Sequence, residues 1–279
     1  MYERYWGLNG SPFQGQHDLR WFVETPVHEE ALARLSFVIE QRRRLGFLSG
    51  PDGTGKSLVL RAVRKEAERL GREVAFVDLL GLDQHELLWQ LAVAMRLGPQ
   101  DNVTRWWLRQ AVSDHIQSLQ MARLPLVLIF DHLDRAELEC SSLIERLLHV
   151  EGANGWLTII SAARDSFDAS SVPELFRHSD LRIELPRLNR QETAMFVGEL
   201  LGKAGCRREV FGVQALRTLF DLSNGEPRAI LRLCDLALAA DAHQGRSVID
   251  SASLRAAAGE LPVVPSPHYS FTDILAASR

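Results

Sequence analysis

The chain has 279 residues, 46% of them hydrophobic and 24% charged, which is ordinary for a soluble globular protein and enough for two domains. Its formal net charge of −4 excludes a global positive field that would attract nucleic acid or an anionic membrane. The three cysteines form no C-x-x-C pair, which excludes a zinc-ribbon spacing and predicts a reducing compartment. Neither a signal-like N-terminus nor an apolar run of roughly 18 residues is found, so the sequence predicts a cytoplasmic protein without a membrane span.

Residues 1–27 are rich in aromatic and turn-forming side chains and show no regular period. Trp6, Phe13, Trp21 and Phe22 are expected to bury their rings as anchors. The sequence therefore predicts a lead segment that packs onto the core of the domain that follows it. A helical period over 28–43 opens that domain.

A glycine-rich stretch over 50–57 lies between a strand candidate at 45–48 and a helical pattern that opens at Leu58. Its spacing, G-x-x-x-x-G-K-[ST], places backbone N–H groups at a helix N-terminus, where they bind phosphate. We expect Lys56 to reach the β- and γ-phosphates and the Ser57 hydroxyl to bind Mg²⁺. The sequence therefore predicts that ATP with Mg²⁺ is bound here. The residues expected to contact the nucleotide are Gly50, Pro51, Asp52, Gly53, Thr54, Gly55, Lys56, Ser57 and Leu58.

Strand and helix patterns alternate as far as residue 187, which is typical of an α/β domain with a parallel sheet between helical layers. The candidate strands after the glycine-rich stretch are 74–78, 126–131, 157–161 and 181–185. The strand over 126–131 is an unbroken apolar run that ends in Asp131. Because ligands collect at the carboxyl ends of parallel strands, we expect Asp131 to join Ser57 in holding Mg²⁺. The sequence predicts a nucleotide-binding domain over 28–187.

Only helical patterns follow residue 187, and turns such as Asn224-Gly225 separate them. The patterns cover 191–204, 213–222, 227–240 and 251–260. They predict a small all-helical domain over 188–261. Prolines are frequent at the start of the tail, 262–279, to which we assign no regular structure.

These features resemble the AAA+ ATPases, a class of P-loop proteins with an additional strand. Three groups of residues are similar to motifs of the ExeA/general secretion pathway protein A family and of TniB- and TnsC-like transposition ATPases. They are Tyr5-Trp6-Gly7-Leu8 with Pro12-Phe13, Leu185-Pro186-Arg187-Leu188 with Gln191-Glu192-Thr193, and Ser223-Asn224-Gly225-Glu226-Pro227-Arg228. The resemblance covers about residues 2–260. It implies a three-layer αβα P-loop domain with a helical lid, ATP hydrolysis, and assembly into a homo-oligomer.

The resemblance also implies roles for individual residues. Arg228 is similar in position to the sensor-2 arginine, which reaches from the lid to the γ-phosphate; a guanidinium suits this because it stays charged and offers several donors. Ser161 occupies the sensor-1 position, where a polar side chain holds the attacking water. Arg177 is similar in place to an arginine finger that acts across a subunit interface, with Arg164 and Arg182 as competitors for that role.

The chain departs from the family pattern directly after Asp131. The family has Asp-Glu there, with the Glu polarising the attacking water, whereas this chain has Asp131-His132-Leu133-Asp134. Asp134 is our first choice for the residue that approaches the water and His132 our second, since an imidazole ionises near neutral pH. In the third alternative neither acts, and the protein binds ATP but hydrolyses it slowly.

Three functions follow from this reading. The first is an ATP-hydrolysing switch or remodeller that acts on an unidentified protein partner, and the second is a nucleotide-gated scaffold with little hydrolysis. The third is a DNA-binding targeting ATPase like the transposition relatives. Basic runs such as 42–44 favour the third function, and the negative net charge opposes it.

Overall fold

The computed structural model describes residues 2–15, 18–149, 155–167, 172–177 and 179–261. The tail that the sequence analysis assigns to 262–279 lies outside the described residues. Within these ranges the parallel strands are β1 (Leu45–Gly50), β2 (Glu73–Asp78), β3 (Leu126–Asp131), β4 (Leu157–Arg164) and β5 (Leu181–Glu184). The helices are α1 (Tyr2–Trp6), α2 (Pro26–Glu40), α3 (Lys56–Arg69), α4 (Gln84–Ala94), α5 (Arg105–Met121), α6 (Leu138–Leu148), α7 (Pro173–Arg177), α8 (Arg190–Lys203), α9 (Val213–Ser223), α10 (Pro227–His243) and α11 (Ser251–Glu260). Short 3₁₀ turns cover Leu19–Trp21 and Leu133–Arg135.

The strands form one sheet in the order β2-β3-β4-β1-β5. All the pairings are parallel, so the carboxyl ends of the strands meet at one edge. Strand β4 lies between β1 and β3, and therefore separates the strand that leads into the phosphate loop from the strand that ends in Asp131. The strand predicted to stop at Ser161 continues to Arg164. The small side chains of Ala162 and Ala163 let it stay buried between its neighbours.

Helices cover both faces of the sheet. Apolar residues of α2 and α3 pack on one face with alternate residues of the central strands. Residues of α4, α5, α6 and α7 pack on the other face. The two faces use alternate positions of each strand, because successive side chains of a strand point in opposite directions. The predicted three-layer α/β class is confirmed.

The helical region after β5 starts at a capping box, in which Asn189 and Glu192 each accept a hydrogen bond from the other's backbone N–H. Helices α8, α9, α10 and α11 share a core cluster of their own. A backbone hydrogen bond of 2.9 Å from Leu188 N–H to Gly225 O joins the entry of this region to the turn before α10. The helical region that follows the α/β part is confirmed, whereas the boundaries 28–187 and 188–261 stay predictions.

The lead segment does not pack mainly where the sequence analysis placed it. Trp6 and Phe13 belong to the core cluster of the helical region, and the Trp6 indole N–H donates a 2.9 Å hydrogen bond to Leu238 O of α10. Phe22 and Leu19 pack in the cluster on the α/β side, whereas Val23 belongs to the cluster of the helical region. The rings of Trp6 and Phe13 are buried where they lie because α8 to α11 share that apolar cluster with them. No helix in the described ranges is long and apolar enough to cross a membrane.

Candidate functional site

A cavity opens at the carboxyl edge of the sheet, between the α/β part and the helical region. Its lining includes Lys56 and Ser57 of the predicted phosphate loop, Asp131 at the end of β3, and Arg228 of α10. The structure therefore brings the main predicted site residues to one cavity. Parallel strands make this possible, because their carboxyl ends leave a crevice at one edge of the sheet.

The phosphate loop runs from the end of β1 to the start of α3. Gly53 and Gly55 have φ angles of +76° and +99°, a region that residues with a Cβ rarely adopt. Gly55 is the N-cap of α3, and its carbonyl accepts hydrogen bonds from Leu58 and Val59. The first N–H groups of this 14-residue helix have no helical acceptor, so they are available to an anion at the positive end of the helix dipole.

Lys56 lies half-buried in the loop. Its Nζ donates to the carbonyls of Gly50 and Pro51 at 2.7 and 2.8 Å. Desolvation lowers the pKa of this ammonium group, while the nearby carboxylates of Asp52 and Asp134 act in the opposite direction. A phosphate chain in the loop offers the ammonium group stronger acceptors than two backbone carbonyls.

Asp131 is a buried carboxylate, 3% exposed, next to the loop. Its Oδ1 accepts a 2.9 Å hydrogen bond from the backbone N–H of His132. A carboxylate this buried needs further donors or a cation, and Mg²⁺ binds proteins through one or two carboxylates together with substrate phosphates. Asp131 and the Ser57 hydroxyl, which line the same cavity, therefore fit a magnesium ion bound together with phosphate.

The helical region closes the cavity from above at the turn 224–227. The backbone N–H of Arg228 donates to Gly53 O at 3.2 Å, so the start of α10 lies directly on the phosphate loop. Glu226 packs on Gly53 so closely that a Cβ at position 53 would collide with it. The Arg228 side chain is exposed at the cavity. The start of α10 and the phosphate loop are therefore in direct contact.

The other side of the cavity is apolar. Trp21, Phe22 and Val23 come from the lead segment, and Phe196 and Leu231 come from the helical region. Flat rings and aliphatic groups of this kind suit a planar aromatic base, with the phosphate loop next to it. The sequence analysis named the lead-segment aromatics only as anchors, because nothing in their spacing indicated a ligand.

Comparisons with known proteins agree with this geometry. A family model described as an AAA domain matches residues 39–165, which contain the phosphate loop and Asp131. This chain contains an AAA domain. A curated relative, general secretion pathway protein A from Aeromonas hydrophila, is 27% identical over 266 residues, which are 94% of this chain and 48% of that protein. The chain thus spans about half the length of the curated relative that it matches.

Similar solved structures show that the AAA fold extends beyond the matched segment. Cdc6p from Pyrobaculum aerophilum has a TM-score of 0.68 at 16% identity, over 86% of this chain and 69% of that one. The Aeropyrum pernix ORC1 protein in complex with DNA has a TM-score of 0.66 at 16% identity, over 84% and 65% of the two chains. Drosophila ORC bound to DNA has a TM-score of 0.67 at 16% identity, over 89% and 65%. At these identities the likeness concerns the fold alone.

His132, directly after the AAA domain's Asp131, has a backbone conformation that is uncommon for a side chain with a Cβ, with φ 56° and ψ 42°. Its Nδ1 lies 2.7 Å from Oδ1 of Asp78. A carboxylate accepts hydrogen bonds, so Nδ1 of His132 donates to Asp78. Asp78 was missed in the sequence analysis. It reaches His132 because β2 and β3 pair in a register that sets Asp78 beside Asp131 at the sheet edge.

Asp134, our first choice for the residue near the attacking water, is 4% exposed on its side chain and strongly paired. Its Oδ1 accepts from the backbone N–H of Arg164 at 3.1 Å, and its Oδ2 accepts from Arg164 Nε at 2.6 Å. This pairing with Asp134 raises the pKa of the Arg164 guanidinium. Both carboxylate oxygens thus already accept a hydrogen bond from Arg164.

Ser161, the residue at the expected sensor-1 position, is fully buried and is not among the residues that line the cavity. It pairs in register with Phe47 and Phe130, both in the core on the α4–α6 side. Ala162 and Arg164, one and three positions later, line the cavity. Because side chains alternate along a strand, Arg164 is the polar residue of β4 that reaches the site.

Arg177, the expected arginine finger, is exposed at the end of α7 and is absent from the residues that line this cavity. A finger acts in a neighbouring subunit's site, so its role stays a prediction. Its competitor Arg182 is used locally: the guanidinium stacks 4.7 Å from the Phe176 ring, and one nitrogen donates to Phe176 O at 3.1 Å. Arg164 lies in the cavity of its own chain.

Proposed function

We propose that the protein binds ATP with Mg²⁺, hydrolyses it, and uses the nucleotide state to set the position of its helical lid. One observation carries the proposal: the phosphate loop, the buried carboxylate of Asp131 and the exposed guanidinium of Arg228 line a single cavity whose other side is apolar. A nucleotide fits these two sides of the cavity, because its triphosphate suits the charged side and its planar base suits the apolar side. Proteins with AAA+ domains generally hydrolyse ATP, which agrees with the proposal.

In this proposal the residues have distinct tasks. Lys56 and the loop N–H groups bind the β- and γ-phosphates, and Arg228 contacts the γ-phosphate from the lid. Ser57 and Asp131 would hold Mg²⁺, which supplies positive charge to the transferred phosphoryl group. Trp21 and Phe22 pack on the base. The Arg228 backbone already contacts Gly53, so the start of α10 lies on the loop. Loss of the γ-phosphate removes a contact of the Arg228 side chain, and we expect the start of α10 to shift as a result.

The test measures ATP binding by calorimetry and turnover by phosphate release. Lys56→Ala is expected to reduce both by at least tenfold, since it removes a charge-assisted contact to phosphate. Lys65→Ala is the matched control, because Lys65 is on the same helix but is exposed outside this cavity. Wild-type affinity and turnover in Lys56→Ala would refute the proposal.

For the attacking water we propose His132 in place of Asp134, the reverse of the order given by the sequence. The support is that Asp134 is paired on both oxygens, whereas Asp78 holds only Nδ1 of the His132 ring and leaves Nε2 available. His132→Ala is expected to reduce turnover and leave ATP affinity within about threefold. A loss of turnover in Asp134→Asn with full activity in His132→Ala would reverse the assignment.

A nucleotide-gated scaffold with little hydrolysis is the second candidate. It is supported by the same pairing of Asp134 and by the absence of Glu at position 132. The scaffold predicts tight ATP binding with turnover near zero, and a gain of turnover in His132→Glu. The switch predicts measurable wild-type turnover under the same conditions.

We also propose that the protein acts as a homo-oligomer, with Arg177 reaching a neighbour's site. The motivation is its exposed position at the end of α7, outside the cavity of its own chain. Specific ATPase activity is then expected to rise with protein concentration, and Arg177→Ala to abolish that rise. DNA is bound in two of the similar structures, but DNA binding by this chain has less support. Arg42 lies over the Trp156 ring at 5.0 Å and Arg44 donates to Leu148 O at 3.1 Å, so both are engaged within the fold.

A further inference from the structure

A buried imidazole lies behind the phosphate loop. His28, 3% exposed, has its Nε2 3.0 Å from Thr54 O and its Nδ1 2.6 Å from Thr25 Oγ1. A backbone carbonyl only accepts hydrogen bonds, so Nε2 carries the proton and donates to Thr54. Desolvation lowers the pKa of His28, which keeps the ring neutral and leaves Nδ1 to accept from the Thr25 hydroxyl. The ring thus connects the lead segment to the phosphate loop.

Thr25 departs from the usual behaviour of a threonine in its position. It is the N-cap of α2, where a threonine normally accepts a hydrogen bond from a backbone N–H of the first turn. In the described part of the chain it makes no such side-chain cap. Its hydroxyl is instead directed at His28, and the residue is fully buried. When a residue next to a functional site departs from its usual local role, the departure indicates that its side chain serves the site instead.

One end of this connection leads to the apolar side of the cavity. The backbone N–H of Thr25 donates to Val23 O at 3.1 Å. The Phe22 ring meets the His28 ring edge-on, with centroids 5.7 Å apart. Phe22, Val23 and His28 all line the cavity. A ligand that presses on Phe22 and Val23 therefore acts on the groups that hold the imidazole.

The other end leads to the lysine of the phosphate loop. Thr54, which is 1% exposed, donates its hydroxyl hydrogen to Pro51 O at 2.9 Å, and that carbonyl also accepts from Lys56 Nζ. The loop packs directly on the imidazole, since a Cβ at Gly55 would lie 3.0 Å from His28 Nε2. The position of the ring therefore constrains the loop carbonyls that orient Lys56.

We propose that His28 is a positioning residue that couples the base side of the cavity to the phosphate loop. This inference rests on the proposed nucleotide site. A base held against Phe22 and Val23 fixes Thr25 and the His28 ring, and the ring holds the loop in the form that receives phosphates. ATP occupies both sides of the cavity. Its base orders the phosphate loop, so phosphate binding costs less conformational entropy and ATP binds more tightly. Inorganic tripolyphosphate occupies only the phosphate side, so its affinity is not increased in this way.

The test compares the affinities of ATP and of inorganic tripolyphosphate, each with Mg²⁺, by calorimetry on the full chain. In His28→Leu and Thr25→Val the advantage of ATP over tripolyphosphate is expected to fall about fivefold, the effect of one hydrogen bond of typical net strength. His28→Gln keeps an N–H donor for Thr54, and Thr25→Ser keeps the hydroxyl. Both conservative variants are expected to retain most of the wild-type advantage.

A merely structural role gives a different result. If His28 only supports the loop, both ligands lose affinity equally and their ratio is unchanged, which would overturn the coupling. Thr25→Val decides the matter if His28→Leu does not fold, because the lost hydroxyl does not cap α2. Failure of the wild-type chain to bind ATP would instead refute the proposed function and the coupling with it.

Discussion

Ser161→Ala separates the role implied by family resemblance from the position that the structure gives. A sensor-1 residue holds the attacking water, so its loss would reduce turnover strongly. In the structure Ser161 is 0% exposed, and its Oγ has no hydrogen-bond partner among the described residues. Its neighbours across the sheet are Phe47 and Phe130, both buried. We therefore expect normal turnover in Ser161→Ala.

The same substitution is expected to stabilise the protein. An unpaired buried hydroxyl costs about 1–3 kcal/mol. Removing one oxygen leaves a space that costs up to about 1 kcal/mol in lost contacts. The expected net gain is about 1 kcal/mol, which corresponds to a rise in melting temperature of about 2–4 °C for a chain of this size.

Thr158→Val, on the same strand, is the matched control. Thr158 is also buried, but its Oγ1 donates a 2.8 Å hydrogen bond to Arg43 O. Valine keeps the shape and leaves that carbonyl unpaired, so the free energy of unfolding is expected to fall by about 1–2 kcal/mol. The two substitutions should thus shift the melting temperature in opposite directions.

The assay combines thermal melting with phosphate release at saturating ATP. A turnover in Ser161→Ala that is reduced tenfold or more, with unchanged ATP affinity, would refute the placement of Ser161 away from the reaction. A fall in melting temperature similar to that of Thr158→Val would show instead that the Ser161 hydroxyl has a partner.

Three further outcomes are expected. Arg164→Ala leaves the buried Asp134 carboxylate with only the more distant Arg135, whose Nε lies 3.9 Å from Oδ2, and should lower the free energy of unfolding by about 2 kcal/mol. In urea titrations the double variant with Asp134→Asn should recover part of this, and no recovery would argue against the pair. Gly225→Ala places a Cβ against Leu188 O at φ +69°, so it should displace the turn before α10 and weaken ATP binding, whereas Gly245→Ala, with open space around it, should leave binding unchanged. Because burial lowers the pKa of His28, this residue takes up a proton at a higher pH in the unfolded chain than in the folded one, so the free energy of unfolding should fall as pH drops below about 6.5. Between pH 7.5 and 5 the free energy of unfolding of His28→Gln should fall less than that of the wild type. An equal fall would exclude His28 as the cause.

The phosphate loop could be predicted because its function depends on local backbone geometry. Positive φ angles at Gly53 and Gly55, a helix that starts at Lys56 and a preceding buried strand are all written in neighbouring residues. Asp131 could be predicted for a similar reason: an apolar run that ends in an acid places that acid at the carboxyl edge of a parallel sheet. In both cases the residues that determine the feature lie close together in the sequence.

Pairings between distant segments could not be predicted. The contact of Asp78 with His132 depends on the register of β2 against β3, and the pairing of Asp134 with Arg164 depends on β4 extending three residues beyond Ser161. These two contacts are the grounds on which we propose His132 ahead of Asp134. No pattern within either segment carries that information, because it arises where separate strands end at the same edge.

The sequence by itself determined the α/β class with its helical region, the glycine-rich loop before α3 and the acid beside it, since hydrophobic period and glycine spacing act over a few residues. Only the tertiary structure decided where the lead segment packs, which face of β4 carries Ser161, and how Thr25 and His28 connect the lead segment to the phosphate loop. Those outcomes depend on which surfaces remain uncovered and which side chains meet after the sheet has assembled. Packing partners and buried hydrogen bonds are properties of the assembled fold, whereas local backbone form is a property of the segment.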